Sequence, residues 1–287
     1  MSHTLELFSS PLLRVTDEIC TSGKCGACAP KAKPSTYVML LRRGCFDYHL
    51  GSRTFLADAA SAFIYDEGAE YSASHPCDGG DDLIKLEPDA ATFEELFAGR
   101  RRNQDVALRM TAQAQLVHFR AYAVLGGDRA DILAKQEAGL RLLQTVARQP
   151  AIVQAAGPVA RRQRRMVDAA KGFMDERLAR NLDLAEVARA AGCSPYHLMR
   201  LFRADTGQSL RSYRARMRVV AAMDLLCAGA EDLTQIALDV GFASHSHLTD
   251  TFRAVLGASP SQLRAEIGES GLIERRRWLE AGMRSAA

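Results

Sequence analysis

Residues 183–203 read DLAEVARAAGCSPYHLMRLFR, and residues 232–253 read DLTQIALDVGFASHSHLTDTFR. In the first, Asp183 is an N-cap residue with Glu186 three places on, the spacing of a capping box, and Leu184, Val187 and Ala188 form an apolar stripe at helical spacing. Gly192 closes that helix, Ser194 caps the next, and Pro195 suits its first turn because no amide donor is needed there. Two helices joined by so short a turn make a helix-turn-helix. The second stretch repeats the logic: Ile236, Ala237 and Val240 are the stripe, Gly241 the stop and Ser244 the cap, with Leu248, Phe252 and Val255 facing inward on the helix that follows. Two such motifs on one chain point to DNA.

On the helix opened by Pro195, Leu198, Leu201 and Phe202 take the buried side, which leaves Tyr196, His197, Met199, Arg200 and Arg203 on or near the other. The N-terminal half of such a helix enters the major groove, where an Arg donates two hydrogen bonds to a guanine edge and Tyr or Met presses on a thymine methyl. Arg200 is the leading base contact and Arg203 a phosphate contact. On the second reading helix, His245, Ser246, His247, Thr249, Asp250 and Arg253 are expected toward solvent or DNA, a less basic face. Between the two motifs, residues 209–227 read as one helix, with Tyr213, Met217, Val220, Ala221 and Leu225 as its apolar contacts. Arg211, Arg214, Arg216 and Arg218 surround them, and Arg214 and Arg218 are expected at phosphates or on the surface. At 1.5 Å per residue this helix spans roughly 28 Å, close to the ~34 Å between successive major grooves on one face of B-DNA. One chain could then cover two half-sites.

The run Ser194-Pro-Tyr-His-Leu-Met-Arg-Leu-Phe202, then Gly207-Gln-Ser209, Tyr213, Arg216 and Leu225-Leu226, resembles the DNA-binding domain of the AraC (AraC/XylS) family of bacterial transcription regulators. The resemblance continues through Ile236-Ala-Leu-Asp-Val-Gly-Phe242, Ser244, Ser246, Phe252-Arg253, Gly257 and Ser259-Pro260, and covers about residues 160–265. It implies a seven-helix domain whose two recognition helices enter successive major grooves. By position in the motif it implies base reading by Tyr196, Met199 and Arg200 and by His245, Ser246, His247, Thr249 and Asp250. Asp250 stands where some relatives carry a basic residue, which suits weak reading or a cytosine amino group. Leu263-Arg264 replaces the aromatic-Arg pair common after Ser-Pro, a variation in packing.

The 287 residues leave room for two domains, and 47% hydrophobic with 25% charged residues is ordinary globular composition. The net charge of +3 is unevenly spread: residues 160–287 hold 20 Lys and Arg against 15 Asp and Glu, a net of +5, leaving 17 against 19, a net of −2, for residues 1–159. The basic half is the half with the motifs, as phosphate binding requires. No window approaches eighteen uninterrupted apolar residues and no leader pattern opens the chain, so a cytoplasmic protein with no membrane partner is expected. Seven cysteines in that reducing compartment point away from a disulfide framework and toward metal, thiol chemistry or burial.

Three of them stand close together in Cys20-Thr-Ser-Gly-Lys-Cys25-Gly-Ala-Cys28, where Gly23 and Gly26 let the backbone wrap one centre. Zinc suits such a set, since it takes thiolate and imidazole ligands tetrahedrally without redox chemistry. Cys20, Cys25 and Cys28 are the candidate ligands, with Cys77 first in line for the fourth place and His75 or Cys45 after it. A thiol-based redox or electrophile sensor, the plant-type iron–sulfur spacing, and plain structural cysteines stay open beside it. So does a zinc-thiolate alkyl-transfer DNA repair protein, although the flanking pattern expected there is missing. Cys193 and Cys227, in the helical half, read as small buried apolar residues.

Six short, partly alternating runs at 37–41, 45–50, 53–56, 62–65, 70–74 and 82–86, separated by Gly-bearing turns, predict a small barrel or double-sheet roll, and residues 1–19 a further short strand. This part looks like the truncated cupin-type sensor domain found ahead of AraC-type DNA-binding domains. Cupin enzymes hold a metal with histidines spread over two motifs. Here only His49 and His75 fall in the strand region, so no enzyme is expected. The chain thus divides into a cupin-like β sensor with its cysteine cluster (1–90), a helical dimerisation or linker region (91–150), an all-α double helix-turn-helix domain (160–268) and a tail (269–287). Its expected partners are double-stranded promoter or operator DNA, a second copy of itself, an effector that the sequence does not name, and RNA polymerase in the case of an activator.

Overall fold

The alternation of apolar residues along 37–65 fixes two opposed faces, and both are buried. In the computed structural model, which describes residues 2–21, 23–32, 35–76, 78, 80–100, 106–153, 157–270 and 272, these strands belong to two antiparallel sheets. Cys77, Arg101, Arg102 and the tail residues Arg275, Arg276, Arg277 and Trp278 lie outside the described residues. The strands are β1 (Ser2–Ser9), β2 (Leu13–Cys20), β3 (Lys31–Ala32), β4 (Tyr37–Arg43), β5 (Phe46–Leu50), β6 (Arg53–Ala57), β7 (Ser61–Tyr65), β8 (Glu70–Ser74), β9 (Asp81–Pro88) and β10 (Ala107–Arg109). One sheet runs β1-β2-β9-β4-β7-β10 and the other β3-β8-β5-β6. Tyr37, Met39, Leu41, Phe63, Tyr65 and Leu83 meet Phe46, Tyr48 and Phe55 between the sheets, whereas Val38, Leu40, Ala62, Ile64, Ile84 and Leu86 face the helices. A period of two with both faces apolar is what a sheet covered on both sides requires.

Two expectations differ from what forms. The N-terminus holds a hairpin of two eight-residue strands, β1 and β2, rather than one short strand. The segment expected to be helical contains β10, paired with β7 through Ala107↔Phe63 and Arg109↔Ser61. Three residues are too few for any periodicity to show.

The helices are α1 (Ala90–Phe97), α2 (Ala112–Gly126), α3 (Ile132–Ala147), α4 (Pro158–Glu176), α5 (Leu184–Ala190), α6 (Pro195–Thr206), α7 (Leu210–Cys227), α8 (Leu233–Asp239), α9 (His245–Leu256) and α10 (Pro260–Ser270). Among the described residues, α4 through α10 are the seven helices that the family resemblance implies. α2 is buried nearly all round, as its Ala, Leu, Phe and Tyr content allows, and packs against β1, α3, α7, α9 and α10. It is the wedge between the two halves.

Polar ties cross that junction, buried at Asp58 and Arg216 and exposed at Arg120 and Glu266. Tyr213 Oη of α7 donates to Asp58 Oδ2 at 2.8 Å, and Lys171 Nζ of α4 lies 3.3 Å from the same oxygen. Burial alone would raise the Asp58 pKa, but Lys171, Tyr213 and Ser61 outweigh it and hold the carboxyl below its usual value. Arg216 donates to Met110 O at 3.3 Å, Gln113 to Leu256 O at 2.9 Å, and Arg120 to Glu266 Oε2 at 2.7 Å. The helical half is therefore seated on the β half through both apolar and polar contacts.

Candidate nucleic-acid interface and cysteine site

The caps read from the sequence set both reading helices. Asp183 and Glu186 complete their capping box on α5. Ser194 Oγ accepts from His197 N at 3.3 Å to start α6, Ser244 Oγ accepts from His247 N at 3.2 Å to start α9, and Gly207 and Gly257 close the two helices in the left-handed conformation at φ 74° and 73°. Phe202 and Phe252 are fully buried, each stabilising its helix by about 1.5–3 kcal/mol relative to exposure. The two helices correspond residue for residue, so that Arg200 on α6 occupies the position of Asp250 on α9. The heads differ in charge at the same place.

Tyr196 and Met199 are 78% and 51% exposed, and with the exposed Arg200 and Arg203 they stand at i, i+3, i+4 and i+7 on one face of α6. His197 is half-buried. On α9, His245, Ser246, His247, Asp250 and Arg253 are exposed, with the His247 ring edge-on to Phe242 at 5.1 Å. Thr249 differs from expectation: it is half-buried, and its Oγ1 is enclosed without a hydrogen-bond partner among the described residues. At that position α9 turns a side chain toward the body of the domain.

The arginines of α7 also depart from expectation. Arg214 donates to Leu178 O at 3.2 Å, and Arg218 donates to Leu178 O at 2.9 Å and to Arg180 O at 3.1 Å. These carbonyls lie in the α4–α5 connection, just past Arg177, the C-cap of α4. Burial, with Arg214 alongside, pulls the Arg218 pKa down to about 10. Arg216 is buried against Met110 O and the Tyr213 ring. Three of the four arginines hold the fold together, and Arg211 is the exposed one.

At the far end of the β half, Cys20 closes β2 directly opposite Asp81, the first residue of β9. The segment after β2 crosses back over β8, with Cys25 and His75 exchanging backbone hydrogen bonds of 3.0 and 3.1 Å. This places the His75 ring between two thiols: Nδ1 lies 3.3 Å from Cys25 Sγ and Nε2 lies 3.8 Å from Cys20 Sγ. Nε2 also lies 2.8 Å from Asp81 Oδ2. Cys28 faces elsewhere, its Sγ accepting from Ala73 N at 3.3 Å. Cys45 is buried beside Leu56, and Cys77 is outside the described residues. Asp81 was not singled out by the sequence; its pairing with Cys20 depends on a strand register that spans sixty residues.

A family model for a helix-turn-helix domain matches residues 187–266. The regulatory protein PocR of Salmonella typhimurium is 31% identical over 98 residues, which are 34% of this chain and 32% of that protein. The arabinose operon regulatory protein of Escherichia coli K12 is 33% identical over 101 residues, 35% of each. The chain thus spans about a third of the length of these two relatives. The regulatory protein SoxS of Escherichia coli K12 is 30% identical over 92 residues, 32% of this chain and 86% of SoxS. A solved transcriptional regulator of the AraC type from Chromobacterium violaceum is 27% identical, with 36% of this chain and 91% of that one covered at a TM-score of 0.35. No described helix is long and apolar enough to cross a membrane. A double helix-turn-helix of seven helices, matched over nearly the whole of SoxS, establishes that the chain belongs to the AraC family of DNA-binding transcription regulators, which are not enzymes.

Proposed function

We propose that this chain is a sequence-specific regulator that reads two successive major grooves of promoter DNA with α6 and α9 and couples that reading to a signal at its cysteine end. The observation that carries the proposal is the outward face of α6, where Tyr196, Met199, Arg200 and Arg203 share one exposed side of a helix capped and closed at both ends. Arg200 reads a guanine edge, and Arg203 and Arg253 hold phosphates. His245, Ser246, His247 and Asp250 read more weakly from α9. Operator selection from random duplexes, followed by binding at fixed salt, tests this. Arg200→Ala is expected to cost about 1–3 kcal/mol on the selected site and to relax specificity at one base pair. Equal affinity of wild type and Arg200→Ala for the selected site would overturn it.

In the same reading the β half is the sensor, and Zn2+ held by a cysteine-built centre is its cofactor. The support is structural economy: the space between the sheets is filled by Tyr37, Tyr48, Phe55, Phe63 and Tyr65, with Tyr37 and Tyr65 stacked at 4.5 Å. The thiols stand instead at the end of β2, with Cys20, and in the segment after it, where Cys25 and Cys28 are exposed. The chain acts as a homodimer through residues 91–150, where Ile132 and Leu133 at the start of α3 are exposed apolar neighbours. An activator of this design also contacts RNA polymerase.

A further inference from the structure

We propose that Cys20, His75 and Asp81 are the ligands of a divalent transition metal of the zinc class, with His75 bound through Nε2 and Cys25 acting as a positioning residue on Nδ1. The proposal rests on reading the β half as a metal-bearing sensor and changes which side chains bear the metal. Three strand ends converge here because two glycines permit it. Gly80, at φ +69°, would place a Cβ 1.9 Å from Cys20 O, and Gly44, at φ +76°, would place one 2.2 Å from Gly80 O. A side chain at either position would push β2, β9 and the β4–β5 turn apart. That approach sets Cys20 beside Asp81, and the bridge between Cys25 and His75 brings in the ring after β8, so that one donor atom each of Cys20, His75 and Asp81 lie within 4.8 Å of one another.

The donor types and spacings suit zinc. Thiolate, imidazole and carboxylate are its three ordinary ligands, and their usual bond lengths put neighbouring donors of a tetrahedron about 3.3–3.6 Å apart. The Cys20 Sγ to His75 Nε2 distance of 3.8 Å is already near that value, and the 2.8 Å from Nε2 to Asp81 Oδ2 needs to open only slightly. A neutral imidazole that gives Nε2 to a metal keeps its proton on Nδ1. At 3.3 Å from Cys25 Sγ, that N–H faces a sulfur acceptor, the kind of outer partner that fixes tautomer and ring orientation in metal-binding histidines. Cys28, whose Sγ accepts from Ala73 N, has no part in the set. A three-ligand site leaves the fourth place for a further ligand or solvent.

Cobalt(II) titration of the reduced full-length chain tests the assignment, because sulfur-to-cobalt charge transfer counts bound thiolates. The expected spectrum carries the intensity of one bound cysteine, or two when the fourth place is taken by a further thiol. His75→Gln and Cys20→Ser are expected to weaken Co2+ by at least about 100-fold. Cys25→Ser is expected to weaken it about 10–100-fold with the charge-transfer intensity per bound ion unchanged, as for an outer-shell partner, and Cys28→Ser leaves it unaltered. Loss of binding in Cys28→Ser, or three-thiolate intensity in the wild type with His75→Gln unaffected, would overturn this set in favour of the all-cysteine one. No Co2+ or Zn2+ binding at all would overturn both, and operator binding, measured on the same preparation, would stand or fall separately. The wild-type spectrum decides the thiolate count even where a variant fails to fold.

Discussion

Arg42 of β4 and Asp224 of α7 lie 182 residues apart in the chain, and Nη1 of the first donates to Oδ1 of the second at 2.5 Å. Nη2 donates to Asp17 Oδ1 at 2.8 Å, the Tyr122 ring lies 4.2 Å from the guanidinium carbon, and Tyr122 Oη donates to Asp17 Oδ2 at 2.8 Å. Arg42 is the extra residue where the β4–β9 register shifts between Leu41 and Arg43, a bulge that re-aims a side chain. Burial pulls its pKa down, but Tyr122, Asp17 and Asp224 more than offset this, so the charge is locked in. Because α7 is the spacer between the two reading helices, the β half grips the spacing element itself.

Removing one member of this group leaves a buried charge without compensation. Asp224→Ala is expected to lower the unfolding free energy by about 3–5 kcal/mol, measured by urea titration. The double change Arg42→Met with Asp224→Leu is expected to cost less than the sum of the two single changes, since the Arg42–Asp224 interaction is lost only once, with Asp17 left to Tyr122 Oη whenever Arg42 is removed. Additive losses would mean that the pair is not coupled.

The junction also has a pH signature. His118 on α2 is buried beside Arg42, and burial first, then Arg42, pulls its pKa from 6.5 down to about 3. The folded chain keeps the ring neutral while the unfolded chain takes a proton near 6.5, so this group's share of stability is lost as pH falls from 6.5 toward 3. Relative to His118→Phe, the wild type should lose about 1.4 kcal/mol per pH unit in that window. Asp168 has the opposite sign: burial raises it from 3.8 to about 7, against Lys171 and Arg164. The folded chain then holds a proton that the unfolded chain has released, so wild type should lose stability relative to Asp168→Asn as pH rises from 3.8 to 7. Slopes of the same sign in the two comparisons would contradict this.

The turns of the two helix-turn-helix motifs tolerate change differently. Gly241 sits at φ +93°, and a Cβ there would lie 2.5 Å from Ala179 O and 2.6 Å from Arg218 Nη2. Gly192, at φ +68°, would place its Cβ in open space. Gly192→Ala should therefore cost only the left-handed strain, about 1–2 kcal/mol, and Gly241→Ala clearly more, because the backbone of residue 179 must move. Thermal unfolding of the two variants side by side decides it; equal losses would contradict the crowding at Gly241.

What the sequence reveals here is what neighbouring residues decide. Asp183 with Glu186, Ser194, Gly207, Ser244 and Gly257 act within one turn of helix, and each stands where its type predicts. The Arg42–Asp224 pair, the Asp81–Cys20 pairing and the Thr249 hydroxyl depend on strand register or on packing between distant segments, for which no local pattern exists. The cysteine spacing directs attention to one end of the β half. Spacing along the chain says nothing about His75 arriving from β8 to stand between Cys20 and Cys25.

Arg203 and Arg218 separate the chemistry of DNA contact from that of the fold. Arg203 is exposed on the reading face of α6, whereas Nε and Nη2 of Arg218 donate to Leu178 O and Arg180 O. A phosphate contact releases a counterion, so Arg203→Ala should reduce the slope of log affinity against log salt by about 1 and shift unfolding free energy by less than about 0.5 kcal/mol. Arg218→Ala removes the donor to Arg180 O and one of the two donors to Leu178 O, which Arg214 still holds at 3.2 Å, and should cost about 1 kcal/mol of stability. Its salt slope on operator DNA should match that of the wild type. Fluorescence anisotropy over a salt series, run beside urea unfolding, measures both quantities, and a reduced slope in Arg218→Ala would mean that its guanidinium leaves the carbonyls to reach phosphate.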